Sequence, residues 1–119
     1  MFISEVASIA EMSKDGIRHY EELGLITSTP VQAGSRIYRD YDTSVLKTIE
    51  QVRQAQQLGM SLKEIAPLLK VYGDKALSDA ETVAFLEDRK RIIRQRISDL
   101  RKIEKFIDTK IEHYKSNAG

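Results

Sequence analysis

Four polar side chains near the start of the chain are spaced so that one helix could present them together. They are Lys14, Asp15, Arg18 and His19. A lysine can donate a hydrogen bond to guanine, an aspartate can accept one from cytosine N4, and an arginine can bind a phosphate oxygen. These residue types favour a helix that contacts nucleic acid. The alternative is an ordinary amphipathic surface helix with no such role.

The segment that positions these side chains has the signals of a short helix. Ser13 can cap it, because its hydroxyl can accept a hydrogen bond from a backbone N–H one turn later. Ile17 and Tyr20 form a narrow apolar stripe on the other face, and Gly24 can end the helix without strain. The pair Leu25-Ile26 then returns the chain to the core.

A second short, capped helix is expected upstream, over residues 4–10, with Val6, Ile9 and Ala10 facing inward. Only two residues separate the two helices. Two short helices joined by a tight turn form a helix-turn-helix unit, whose second helix docks in the major groove of DNA.

Three separated blocks in the first seventy residues or so resemble the MerR-type family of transcription regulators. The blocks are Ser4-Glu5-Val6-Ala7 with Met12-Ser13 and Ile17-Arg18-His19-Tyr20-Glu21-Glu22-Leu23-Gly24-Leu25; Gly34-Ser35-Arg36-Ile37-Tyr38, which resembles the wing; and Leu58-Gly59-Met60-Ser61-Leu62-Lys63-Glu64-Ile65, which resembles the start of the fourth helix. The chain departs from the family at Glu11, Gly16 and Ser35, where a glycine, a threonine or alanine, and an aromatic residue are usual.

The resemblance implies a mainly α fold, in which a winged helix-turn-helix DNA-binding head precedes a long C-terminal dimerisation helix that forms an antiparallel coiled coil. The expected domains are the head over residues 1–71, a connector over 72–77 that includes Gly73 and Asp74, the coiled-coil helix over 78–115 and a tail over 116–119.

The predicted DNA-binding residues follow from the helix and from the resemblance. Lys14, Asp15 and His19 lie where base edges would be met. The resemblance assigns backbone contacts to others, although Tyr20 could equally belong to the core and Lys63 could simply face solvent. The full predicted set is Ser13, Lys14, Asp15, Arg18, His19, Tyr20, Arg36, Tyr38 and Lys63.

Turn and cap signals divide the rest of the head. Residues 27–30 are expected to be a connector, and the Gly34-Ser35 pair predicts a two-stranded hairpin within residues 31–41. A helix over about 43–58 should follow, ended by Gly59. A capping box at Ser61 and Glu64 then starts a helix to about Leu69, and Pro67 should kink or shorten that helix.

The longest periodic segment begins at a second capping box, Ser78 with Glu81, and runs to about residue 115. Ten heptad positions form a seam, and eight are apolar, which argues for a coiled coil and hence a dimer. The polar pair Lys90 and Glu104 would fall opposite each other only in an antiparallel dimer centred near Ile97. The predicted dimerisation residues are Val83, Leu86, Lys90, Ile93, Ile97, Leu100, Glu104, Ile107, Ile111 and Tyr114.

Three apolar side chains, Ile92, Ile103 and Phe106, lie off this seam. Packing on the head of the partner is their expected use, and lining of an effector pocket is the alternative. No cofactor or metal site is expected, because the chain has no cysteine and neither His19 nor His113 has a second ligand at suitable spacing. The resemblance implies that metal- and redox-sensing members use cysteines near the end of the coiled coil.

Composition limits the remaining classes. A chain of 119 residues with 41% apolar and 31% charged residues is typical of one soluble globular domain. No catalytic triad, paired catalytic carboxylates or phosphate-binding glycine loop is visible, so no enzyme is expected. No membrane-spanning run and no signal peptide are visible, so the cytoplasm is the expected location.

Charge is the weakest support for DNA binding. The net charge is +1, and residues 1–77 carry nine Lys and Arg against ten Asp and Glu. Phosphate neutralisation normally supplies much of the affinity for DNA, so binding cannot rest on net charge.

The leading hypothesis is a homodimeric transcription regulator on a palindromic promoter operator. The resemblance implies that it acts by distorting promoter DNA so that RNA polymerase, a further partner, can engage both promoter elements. The alternatives are an architectural or recombination accessory protein that bends DNA, and a coiled-coil adaptor that binds no DNA.

Overall fold

The computed structural model describes residues 1–73 and 75–118, and the chain divides into one unit from Met1 to Ala76 and another from Leu77 onward. The first unit contains α1 (Ile3–Ala10), α2 (Lys14–Glu22), β1 (Thr29–Ala33), β2 (Arg36–Asp40), α3 (Ser44–Gln57) and α4 (Leu62–Tyr72). The second consists of α5 (Asp79–Ala118). The predicted mainly α fold with a small wing and a long C-terminal helix is confirmed. Asp74 of the predicted connector and Gly119 of the predicted tail lie outside the described residues.

The core of the first unit is formed by the inner faces of its helices and by the residues just after α2 and β2. α1 packs on α2 and on α3, and α3 packs on α4. The buried apolar side chains are Val6, Ala10, Ile17, Tyr20, Leu25, Ile26, Tyr41, Val45, Ile49, Val52, Met60 and Ile65.

Two predictions for α1 are wrong. Ile9 is 60% exposed, because the core side of the helix is centred between Val6 and Ala10, one helical turn apart, and Ile9 falls at its edge. The helix also begins one residue earlier than expected, at Ile3, after Phe2, which makes no side-chain cap hydrogen bond.

The wing is an antiparallel hairpin in which Ala33 pairs with Arg36 across a two-residue loop. Gly34 has a φ of 65°, and the first loop residue of a type II′ turn requires such a positive φ. The hairpin was predicted, but β1 starts at Thr29, inside the expected connector. Pro30 is tolerated there because each strand of a two-stranded sheet has a free edge.

Side-chain hydrogen bonds stand at the start of both α3 and α4, and those of α4 form the predicted capping box. The Asp42 carboxylate accepts from the backbone N–H of Ser44 at 2.8 Å, and the reciprocal hydrogen bonds between Ser61 and Glu64 are both present. α4 nevertheless runs through Pro67 to Tyr72, so the expectation that it ends near Leu69 is wrong. One proline removes a single helical hydrogen bond, and half-buried Leu68 and Leu69 hold the following turn.

The second unit is one continuous helix. Ser78 and Glu81 exchange the two hydrogen bonds of a capping box at 3.2 Å each, as predicted. The helix continues through Ala118, past the expected end at residue 115, so positions 116–118 of the predicted tail are helical. Among the described residues, no helix is long and apolar enough to cross a membrane.

Candidate nucleic-acid interface

The first turn of α2 is fixed by the residues that surround it. Ser13 Oγ accepts a hydrogen bond from the backbone N–H of Gly16 at 3.0 Å, which confirms Ser13 as the cap. A Cβ at Gly16 would lie 3.2 Å from both Ser13 Oγ and Met12 Cε. A glycine at this position therefore leaves room for the cap, and Lys14 becomes the first helical residue.

α2 has one buried and one exposed face. Ile17 is fully buried and Tyr20 is 7% exposed, whereas Lys14, Asp15, Arg18 and His19 all face solvent. Burial favours the packing interpretation of Tyr20, and its contact with the DNA backbone stays a prediction.

Arg18 and His19 on the exposed face of α2 each have an acidic neighbour one turn away. Arg18 donates to Asp15 Oδ1 at 2.9 Å, and His19 Nδ1 lies 3.9 Å from Glu22 Oε2. The Asp15 side chain is still 93% exposed. These pairs orient the side chains and partly neutralise the face, in agreement with the low net charge of the head.

A groove of about 370 Å³ lies between α2 and β2 and is lined by Arg18, Glu21, Glu22 and Arg39. We call it the α2–β2 groove. Arg18 contributes a guanidinium from the helix and Arg39 contributes another from the wing. The two guanidinium groups, one from each element, are the type of group that binds phosphate.

Glu21 connects α2 to the base of the wing. Its Oε2 accepts hydrogen bonds from Ser28 Oγ at 2.7 Å and from Arg39 at 2.9 Å, and its Oε1 accepts one from the hydroxyl of Tyr41 at 2.7 Å. Arg39 also donates to Ser28 Oγ at 3.2 Å. We call these four residues the Glu21 cluster, and it fixes the position of β2 relative to α2.

The electrostatics of the Glu21 cluster follow from these contacts. Burial raises the pKa of Glu21, but the hydrogen bonds from Tyr41 and Ser28 and the charge of Arg39 together lower it below its usual value. Burial, followed by the hydrogen bond to Glu21, raises the pKa of Tyr41 to about 12. At neutral pH the cluster thus pairs an ionised carboxylate with a neutral tyrosine.

The two predicted wing residues, Arg36 and Tyr38, lie on the opposite face of the hairpin from Arg39. Side chains alternate along a strand, so Arg36 and Tyr38 point away from the face that carries Arg39. The ring of Tyr38 contacts that of Phe2, with centroids 5.5 Å apart. Lys63 is exposed in the first turn of α4. The structure therefore brings Arg18 together with Arg39, and not with Arg36 or Tyr38.

Sequence reasoning missed Glu21, Ser28, Arg39 and Tyr41 as a cluster. One signal was present: the spacing Arg-x-Tyr occurs twice, at Arg36 and again at Arg39. The second occurrence stands directly before the Asp42 cap of α3, and its tyrosine is 1% exposed. The block that resembles the family wing includes the first occurrence only.

The part of the chain that the structure describes contains no group of three or more His, Asp or Glu side chains that could hold a metal ion. The fold and the site together define a winged helix-turn-helix DNA-binding protein, with an exposed polar helix beside a hairpin wing.

The chain belongs to the MerR family. The family described as "MerR HTH family regulatory protein" matches residues 1–71, and "MerR, DNA binding" matches residues 46–110. The protein is therefore a DNA-binding transcription regulator and not an enzyme, as predicted. The adaptor hypothesis without DNA binding is wrong.

Relatives of the chain agree with this assignment. The regulator CueR of Escherichia coli O6:H1 is 33% identical over 100 residues, which cover 84% of this chain and 73% of CueR. A probable heavy metal-dependent transcriptional regulator of Haemophilus influenzae is 31% identical over 114 residues, or 96% of this chain and 84% of that protein.

Solved structures share the fold. PbrR691 from Ralstonia metallidurans CH34, solved in complex with lead(II), is 26% identical with a TM-score of 0.66, over 90% of this chain and 82% of that one. HiNmlR, a MerR regulator lacking the sensor domain and bound to promoter DNA, is 17% identical with a TM-score of 0.52, over 97% and 90% of the two chains. At that identity the second likeness concerns the fold alone.

Proposed function

We propose that the protein regulates transcription as a homodimer on a palindromic promoter operator, with α2 of each copy in the major groove. The α2–β2 groove carries this proposal. It presents Arg18 from the helix and Arg39 from the wing along one strip of surface, where a DNA strand beside the major groove would run.

The first turns of α2 supply the base contacts in this proposal. Lys14 donates to guanine, and Asp15 accepts from cytosine while one of its oxygens holds Arg18. His19 lies one turn further along the same face. Ser13 acts indirectly, because its hydroxyl is used by the helix cap.

The phosphate contacts in this proposal come from both sides of α2. Arg18 and Arg39 bind the strand beside the α2–β2 groove, and Arg39 exchanges its hydrogen bond to Glu21 in part for one to phosphate. Arg36 and Tyr38 on the other face of the hairpin, and Lys63 at the start of α4, remain predicted backbone contacts.

Dimerisation through α5 is supported by the exposure of its seam. Leu100 is 63% exposed, Tyr114 is 66% exposed, and an apolar groove of about 470 Å³ is lined by Phe106, Ile107 and their neighbours toward the end of the helix. Apolar surface of this extent requires a partner, and we propose an antiparallel second copy. Off the seam, Ile103 and Phe106 are exposed and are proposed to pack on the head of the partner.

In the proposed mechanism the dimer binds between promoter elements and bends or untwists the DNA so that RNA polymerase engages both. Such a regulator works where the chromosome is, and we therefore propose the cytoplasm as its location. An architectural DNA-bending role would use the same surfaces. Sequencing of the genomic fragments that the protein retains separates the two roles, because a regulator is expected to bind upstream of its own or neighbouring genes.

The substitution Arg18→Gln tests the interface. Arg18 is proposed to bind one phosphate in each half-site, so affinity should fall and the slope of log K against log salt should flatten by about one unit per lost contact. Titration of operator DNA at several salt concentrations measures both quantities.

Arg91→Gln is a matched control. Arg91 pairs with Asp88 on α5 in the same i, i+3 geometry, at 3.2 Å, and is similarly exposed. This control should leave the slope unchanged. Equal slopes for Arg18→Gln and Arg91→Gln would show that α2 does not contact phosphate through Arg18.

A further inference from the structure

The turn between α1 and α2 contains a residue in an unfavourable backbone conformation. Glu11 has φ 54° and ψ 47°, the left-handed region, and among the described residues it is the one non-glycine residue with a positive φ. A side chain in this region costs about 1–2 kcal/mol relative to the right-handed helix. Something in the surrounding structure must offset that cost.

The end of α1 is closed by backbone hydrogen bonds that depend on this conformation. The N–H of Glu11 donates to Ser8 O at 3.3 Å, and the N–H of Met12 donates to Ala7 O at 2.9 Å. This is the pattern that ends many helices, normally with glycine in the left-handed position. The last carbonyl of the helix, that of Ala10, is not used by these two hydrogen bonds, and Ala10 is buried.

A side chain from α3 binds this last carbonyl. Arg53, which is half-buried, donates a hydrogen bond from its guanidinium to Ala10 O. A buried carbonyl without a donor is costly, and a cation at the C-terminal end of a helix is favourable. Arg53 therefore stabilises the turn at the position where Glu11 strains it.

The turn sets the direction of α2. Lys14, the first residue of α2, is four residues beyond Ala10, and backbone hydrogen bonds fix the residues between them. A change in the backbone at Glu11 would therefore rotate the exposed face of α2. Arg53 lies on α3, which itself packs on α1, so it connects the turn to the core of the head.

We infer that Arg53 is a positioning residue for DNA binding: by holding the carbonyl of Ala10 it keeps the strained Glu11 turn closed and aims α2 at the major groove, without touching DNA itself. This inference rests on the proposed role of α2. The two roles have different consequences: loss of Arg53 changes the orientation of α2, but it removes no phosphate contact.

The test is a double-mutant cycle between Arg53→Met and Glu11→Gly. Methionine keeps much of the arginine's length and removes the donor, so operator affinity should fall about tenfold. The salt slope should stay as in the wild type, since no phosphate contact is lost. Glycine at position 11 removes the strain, so the double variant should regain most of the lost affinity.

Gln54→Met is the matched control, because Gln54 is the exposed neighbour of Arg53 on the same helix. It should bind operator DNA as the wild type does. If Arg53→Met does not fold, Arg53→Lys replaces it in the cycle. Lysine keeps one charged donor, so a loss of about threefold that Glu11→Gly restores is expected.

Three outcomes would overturn the inference. A flattened salt slope for the Arg53 variant would mean that Arg53 binds phosphate directly. Unchanged operator affinity of the Arg53 variant would mean that the turn keeps its conformation without Arg53. Failure of Glu11→Gly to restore affinity would mean that the two residues do not act together. The Arg18→Gln slope measurement is independent of all three, so failure of the proposed interface is recognised separately.

Discussion

Glu21 accepts hydrogen bonds from side chains that follow it by 7, 18 and 20 residues. No helical or strand periodicity relates such positions, so the sequence pattern could place Glu21 on a helix but could not select its partners. The polar face of α2 was predictable for the opposite reason, because Arg18 and its partner Asp15 belong to one helix.

Tyr41→Phe tests the Glu21 cluster. The change removes one of the donors to the Glu21 carboxylate and should lower the free energy of unfolding at pH 7 by about 1–2 kcal/mol. The hydroxyl of Tyr41 has a pKa raised to about 12, above its ordinary value of 10. Its contribution to stability is therefore complete below pH 10 and is lost as the pH rises toward 12.

Urea unfolding at intervals from pH 7 to pH 12 measures this effect. The Tyr41→Phe variant should lose less stability than the wild type across the alkaline range. Tyr38→Phe is the control, since Tyr38 is partly exposed and lies on the other face of the hairpin. The explanation fails if the alkaline decline of the Tyr41→Phe variant equals that of the wild type.

At the scale of the elements, short-range signals predicted most boundaries. The Ser13 cap, the two serine–glutamate capping boxes and the glycines at positions 24, 34 and 59 each act within a few residues, and each stands where it was expected. The misses depend on longer-range contacts. β1 begins early because its partner strand continues to Asp40, and α4 continues past Pro67 because Leu68 and Leu69, directly after the proline, are half-buried.

The seam of α5 gives a prediction at this scale. Leu100→Glu places a charge in the seam and should raise the dissociation constant of the proposed dimer by at least tenfold, because an unpaired charge would be buried. Thr109→Glu introduces the same charge on the far side of the helix and should leave the dimer intact. Sedimentation over a concentration series distinguishes the two variants.

Cross-linking can determine whether the two α5 helices run antiparallel, because the chain has no native cysteine. Ile97→Cys in both copies should cross-link, as should a mixed pair of Lys90→Cys with Glu104→Cys. Self-pairing of Lys90→Cys, together with self-pairing of Glu104→Cys, would indicate a parallel dimer instead.

At the scale of the whole molecule, the head and α5 differ in how much of their structure the sequence predicts. The head resembles its family in three blocks, so its fold and the exposed polar face of α2 could be predicted. The sequence did not predict the Glu21 cluster or the Arg53 contact, because their hydrogen bonds join positions 7 to 43 residues apart with no common periodicity. The heptad periodicity of α5 is visible in the sequence, but the sequence of one chain does not show what covers the apolar seam.

The proposed mechanism predicts a deformed operator. Bending or untwisting a site of this kind costs on the order of 1–6 kcal/mol, which the dimer must offset with contacts. Chemical probes of the protein–operator complex should show enhanced reactivity at the central base pairs, and transcription in vitro should rise. A uniformly protected, undistorted centre with repression only would contradict the mechanism.

The acids that pair with Arg18 and Arg39 also affect how the protein is distributed in the cell. A chromosome offers about 10⁶ or more competing sites that attract any exposed cation, and most copies of a strongly basic regulator are held there. A head whose arginines already have carboxylate partners gains little from random sequence. We therefore expect a larger share of the copies to stay free to find the proposed operator, so that a small number of molecules per cell can occupy it.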